Sequence, residues 1–86
     1  MKNIAFIINP VAGTQHKRRI PKQIEKLLDK QQWAYDIVFT AYKGHATKLA
    51  LQYAALGFDG VVAVGGDGTV NEVASGLRGT KIGRAH

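Results

Sequence analysis

The sequence predicts an α/β fold, a three-layer α/β/α sandwich built on a parallel sheet. Three observations carry that expectation. Short apolar, β-branched runs alternate along the chain with longer stretches of helical period. The first run, Ile4 to Ile8, is apolar without a break, the mark of a strand covered on both faces. A helix-like stretch separates each run from the next, so successive strands need crossovers and lie parallel.

The first strand is expected over residues 4–8. Asn9-Pro10 stops it, because proline has no N–H to give a ladder. Val11 to Thr14 then reads as a loop in which Gly13 permits a tight path. A helix is expected to start near Arg18 or Ile20, with Pro21 in its first turn. Ile20, Ile24, Leu27 and Leu28 form its apolar stripe, Asp29 and Lys30 belong to its wet face, and Gln31-Gln32 ends it.

The second strand is expected over residues 34–40, near a sheet edge because Asp36 interrupts it. His45 to Leu56 reads as the second helix, with Ala46, Leu49, Ala50, Tyr53 and Ala54 on one face and Gly57 as its stop. The third strand, 61–64, is short, β-branched and expected to be central. In the third helix Val70, Val73, Ala74 and Leu77 share a face, and Thr69 with Glu72 has the spacing of a capping box. The expected domain is 1–77. Residues 78–86 form a tail with no recognisable element, and the chain reads as the front half of something larger.

Composition narrows the function. There are 86 residues, enough for one small domain. The absence of cysteine excludes disulfides, thiol chemistry and cysteine zinc sites. Twelve Lys plus Arg against six Asp plus Glu give +6, which favours anionic partners without choosing one. The opening residues do not read as a secretory signal, and no apolar stretch is long enough to span a membrane.

The chemistry-bearing loops follow the strands. Gly65-Gly66-Asp67-Gly68-Thr69 leaves the third strand and opens a helix. Glycines there allow positive φ and a close ligand, and a helix start offers free N–H groups to a phosphate. Asp67 repels a bare phosphate. It suits a site with a divalent cation between, or it holds the turn's own amides. The glycine pattern is neither a dinucleotide fingerprint nor a P-loop. Asn9 to Gly13 and Thr40 leave the other two strands on the same rim, where parallel sheets bind ligands. His16, Lys17, Arg18, Arg19 and Lys22 form a basic cluster, read either as a wet helix start or as a seat for an anion. His16, His45 and His86 have no triad or zinc spacing. Trp33 and Tyr35 do not interleave with basic residues, so nucleic acid is disfavoured.

Val61 to Val73, V-V-A-V-G-G-D-G-T-V-N-E-V, resembles the signature of the diacylglycerol kinase and sphingosine kinase family. I-I-N-P-V-A-G and Thr40 with Gly44-His45-Ala46 match its two earlier motifs. The resemblance runs from about Asn3 to Leu77, and NAD kinases share the Gly-Gly-Asp-Gly-Thr element more distantly. It implies a partial Rossmann-like domain that binds ATP and Mg2+ and phosphorylates a lipid hydroxyl, with this chain giving part of the nucleotide site. Asn9, Gly13 and Thr40 would meet nucleotide. Gly65, Gly66, Gly68 and Thr69 would cradle phosphates. Asp67 would be the catalytic residue at the metal–phosphate centre, with His45, Asn71 and Glu72 in support.

The family continues with a further strand and a Gly-Thr-x-Asn-Asp segment. Arg78 to Gly83 has the Gly-Thr pair without Asn-Asp. The family's β-rich lipid-binding domain is not among these residues, so the lipid acceptor would be engaged elsewhere and turnover by this chain alone is in doubt. The competing reading is a non-catalytic nucleotide-binding or interaction module. A cytoplasmic protein, or one peripheral at the inner membrane face, is expected, as is a homodimer that covers the open sheet edges.

Overall fold

The computed structural model describes residues 2–10 and 20–82, with Ile20 by its backbone only. The expectations for Gly13 and for His16 to Arg19 lie outside the described residues. The elements are β1 (Lys2–Ile8), α1 (Ile20–Leu27), β2 (Trp33–Phe39), α2 (His45–Ala55), β3 (Gly60–Val64) and α3 (Asp67–Leu77). The three strands form one parallel sheet in the order β2-β1-β3. Its register sets Ile4 beside Tyr35 and Gly60, and Ile8 beside Phe39 and Val64.

β1 is thus the centre of the sheet. The expectation that the third strand is central is corrected: among the described residues β3 pairs with β1 alone. A continuous apolar run reports cover on both faces of a strand and says nothing about neighbours at its edges. β2, with its exposed Asp36, does lie at an edge.

Residues alternate between the two faces of a strand. Ile7 shares a face with its partners Val38 and Ala63. There it joins Ala46, Leu49 and Ala50 of α2 and Val73 of α3 in the core, with Val61 and Leu77 at its margin. Ile7 and Ile8 are fully buried. Each such side chain contributes about 1.5–3 kcal/mol relative to exposure. On the other face Phe6 meets Tyr35 edge-on, ring centroids 6.3 Å apart. Among the described side chains of α1, Ile24 is the buried one. No helix among the described residues is long and apolar enough to cross a membrane.

α2 and α3 pack closely because α3 carries a glycine at the contact. A Cβ on Gly76 would run into the Thr47 carbonyl oxygen and lie 2.9 Å from the Ala50 Cβ. Thr47 Oγ1 donates a hydrogen bond to the Glu72 carbonyl across the same seam, at 2.8 Å. At the far end of α2 the Asp36 carboxylate accepts from the Tyr53 hydroxyl. Partial burial first, and then that carboxylate, raise the Tyr53 phenol above its ordinary value.

Several helix details differ from the sequence expectation. α1 ends at Leu27, before the glutamines, and Leu27 is 85% exposed. The chain turns at Asp29, whose Oδ1 accepts from the Gln31 N–H at 3.0 Å while its carbonyl accepts from Gln32 and Trp33. A short polar side chain that satisfies nearby amides ends a helix more firmly than the glutamines that follow. Gly57 behaves as expected, ending α2 at φ 84°. α3 begins at Asp67, with Gly66 as its cap and no side-chain capping bond. Thr69 is therefore inside the helix, and the expected Thr69–Glu72 capping box is corrected. The buried face is Thr69, Val73 and Gly76. Val70 and Ala74 are exposed instead, on an apolar groove of about 470 Å³ beside β3 with Val61, Ala63 and Ile82.

Candidate nucleotide site

The sheet order decides where a ligand can sit. β1 runs first, the chain then goes to β2 on one side, and it returns past β1 to β3 on the other. Loops that leave β1 and β3 diverge at such a reversal and open a crevice at the carboxyl ends. Asn9 follows β1 there, and Gly65 follows β3.

These loops are joined. The Asn9 backbone N–H donates to the Val64 carbonyl at 2.9 Å, and its side-chain Nδ2 donates to Thr69 Oγ1 at 3.3 Å. Thr69 is buried. Sixty residues apart in sequence, Asn9 and Thr69 close one corner of the crevice. From the other side, the Thr40 N–H donates to the Ile8 carbonyl at 2.8 Å. Asn9, Thr40, Thr69 and Glu72 line a cleft of about 300 Å³ together with Ala41, Tyr42 and Lys43.

The glycines divide by role. None of Gly65, Gly66 or Gly68 has positive φ, so the left-handed backbone that glycine allows is not used at this turn. Gly65 is glycine for lack of room: a Cβ would lie 2.5 Å from Thr69 Oγ1 and 3.2 Å from the Asn9 Cβ. Around Gly66 and Gly68 a Cβ would meet nothing within 4 Å. Both are exposed. Their backbone is open to a ligand at the start of α3, which has no side-chain cap; the Thr69 and Val70 N–H groups donate to the Gly66 carbonyl, and the N–H groups ahead of them have no helical acceptor.

Asp67 stands exposed in that first turn, and among the described residues no hydrogen bond or ion pair engages its carboxylate. Its negative charge suits the positive end of the helix. It does not line the cleft; the carboxylate that does is Glu72. Asn71 is exposed on the next turn. Among the described residues no group of three or more His, Asp or Glu side chains is placed to hold a metal ion. One or two carboxylates still fit Mg2+, which keeps several waters and binds mainly through substrate phosphates.

The profile of the diacylglycerol kinase catalytic domain matches residues 3–85. The chain belongs to that family. It is 34% identical over 77 residues to a diacylglycerol kinase of Bacillus subtilis, covering 90% of this chain and 25% of the relative. Identity to human ceramide kinase is 33% over 79 residues, covering 91% of this chain and 15% of that one. The crystal structure of a diacylglycerol kinase from Bacillus anthracis superposes with a TM-score of 0.70 at 28% identity, covering 94% of this chain and 29% of that one. The chain therefore spans less than a third of the length of these relatives.

Family membership gives the loop 40–45 its weight. His45 is a structural member of it: its Nδ1 accepts from the Ala41 N–H at 2.8 Å. Gly44, the cap of α2, has φ 89°, a conformation that favours glycine. The motif reading named Thr40, Gly44 and His45 but missed Tyr42 and Lys43, because a loop's side-chain directions carry no periodic signal. Thr47 and Gly76 were missed too, although a glycine on the apolar face of a helix is a legible sign of close packing.

Proposed function

We propose that this chain is the nucleotide-binding part of an ATP-dependent lipid kinase that transfers the terminal phosphoryl group to a lipid hydroxyl. The observation that supports it most is the convergence of three separated motifs on one cleft, with the Asn9–Thr69 hydrogen bond at its corner. In this reading Asn9, Gly13 and Thr40 contact the nucleotide. Gly65, Gly66, Gly68 and Thr69 receive its phosphates, and Asn71, Glu72 and His45 support the loops. Asp67 serves a phosphate-borne Mg2+, which when bound offsets charge on the transferring group. The lipid acceptor is engaged by parts of the family's fold that these residues do not include. The reading also lays α1 over the second sheet face as a third layer, since right-handed crossovers to opposite sides of β1 place α1 and α2 on opposite faces.

Calorimetric titration with Mg-ATP tests the proposal. Saturable binding at low millimolar concentration is expected, and Asp67→Asn should remove its dependence on Mg2+. A chain that stays folded and gives no heat with Mg-ATP overturns it. Self-association through the β3 edge, unpaired among the described residues, and through the apolar groove beside it belongs to the same reading. Sedimentation velocity showing one monomer at every concentration overturns that part alone.

A further inference from the structure

Tyr42 is the aromatic residue among those that line the cleft. One face of the ring lies against the His45 imidazole, centroids 4.4 Å apart and planes within 11°. Tyr42 is nevertheless 54% exposed. His45 is not among the residues that line the cleft, and the exposure of Tyr42 leaves ring surface that the imidazole does not cover.

The stack is held in place before any ligand arrives. The Ala41 N–H donates to His45 Nδ1, and the His45 N–H donates to the Tyr42 carbonyl at 3.1 Å. The loop is tied to β1 at Thr40 and enters α2 through the left-handed Gly44. A side chain ordered in advance loses little freedom on binding. Beside it, Lys43 brings a positive charge and Asn9 and Thr40 bring polar groups to the same cleft.

We propose that Tyr42 is a stacking platform for a nucleobase, buttressed from behind by His45, and that it makes the site favour purine over pyrimidine triphosphates. The proposal rests on the nucleotide reading of the cleft and adds to it the group that receives the base. Stacking on an aromatic face tolerates any base, but its strength grows with ring area, so the two-ring purines gain most.

The test titrates the chain with the Mg2+ complexes of ATP, CTP and inorganic tripolyphosphate, and repeats this for Tyr42→Ala and Tyr42→Phe. Tyr42 is exposed on a loop, and thermal melts confirm that each variant folds. The parent should bind ATP about tenfold more tightly than CTP. Tyr42→Ala should bring ATP to the level of CTP and leave tripolyphosphate unchanged, whereas Tyr42→Phe should keep the parental preference. Tyr42→Ala binding ATP like the parent, or losing tripolyphosphate equally, overturns the platform. A parent that binds tripolyphosphate and both nucleotides alike overturns the platform and leaves the phosphate site standing. A parent that binds none of the three overturns both readings.

Discussion

The two ends of α3 use glycine in opposite ways. At its start, Gly66 and Gly68 have open space where a side chain would be. Near its end, Gly76 has the Thr47 carbonyl and Ala50 there instead. Gly65, just ahead of the helix, belongs with Gly76: Thr69 and Asn9 occupy its Cβ position. Glycine that is needed for packing and glycine that leaves backbone bare look the same in a sequence. Only the neighbours tell them apart, and apart from Thr69, four residues from Gly65, those neighbours lie 26 to 56 positions away.

Alanine substitutions break or sharpen this contrast. Gly76→Ala should have the largest effect, about 2–3 kcal/mol of lost stability, because the obstructing atom is backbone and α2 must move. Urea unfolding measures it, and an unchanged midpoint would mean that the helices are not in close contact. Gly65→Ala should cost about 1–2 kcal/mol, less than Gly76→Ala because its obstructing atoms are side-chain atoms; the Thr69 hydroxyl can rotate away at the expense of the Asn9 bond, but the Thr69 Cβ at 2.9 Å still makes the first turn of α3 shift. Gly68→Ala should act in the opposite direction and stabilise by about 0.5–1 kcal/mol, since helical φ suits alanine and no atom stands in its way. Gly66→Ala should change stability by less than about 0.5 kcal/mol and weaken Mg-ATP binding in calorimetry. A variant that binds ATP as the parent does would move the phosphates away from this turn.

A control for the series lies at the other end of α2. The raised Tyr53 phenol means that the unfolded chain ionises first, near its ordinary value of 10.0. The stability that Tyr53 contributes is whole below that pH and is lost as pH rises through the higher folded value. Chemical unfolding at stepped alkaline pH should show a loss that Tyr53→Phe makes shallower. An identical pH profile for the two proteins would remove the Asp36 contact from consideration.

Much of the architecture was legible because β1 and β3 are dense in β-branched residues and α2 repeats its apolar positions cleanly. The convergence of Asn9, Thr40 and Thr69 on one rim followed from parallel order alone. The start of α3 was not legible. Glycines at 65, 66 and 68 depress helix propensity, while Thr69 and Glu72 imitate a cap that the backbone at Gly66 makes redundant. Leu27 misled because an apolar residue at helical spacing counts for the stripe even where the helix is about to end. Tyr42 could not be placed at all from the sequence. Its orientation depends on a hydrogen bond to a histidine ring and on one left-handed glycine.

The bond from Thr47 to the Glu72 carbonyl has a mechanical consequence. α2 carries Tyr42 and Lys43 on its leading loop, and α3 carries Thr69 and Glu72. Thr47 meets α3 twice, through its hydroxyl on the Glu72 carbonyl and through its own carbonyl against Gly76, so the two helices form one bracket whose jaws resist sliding. A ligand bound in that bracket would have to break both contacts to slide one jaw along the other. Its arrival would be felt as a load on the whole unit, passed to the sheet through Asn9, which bonds both Thr69 of the bracket and Val64 of β3.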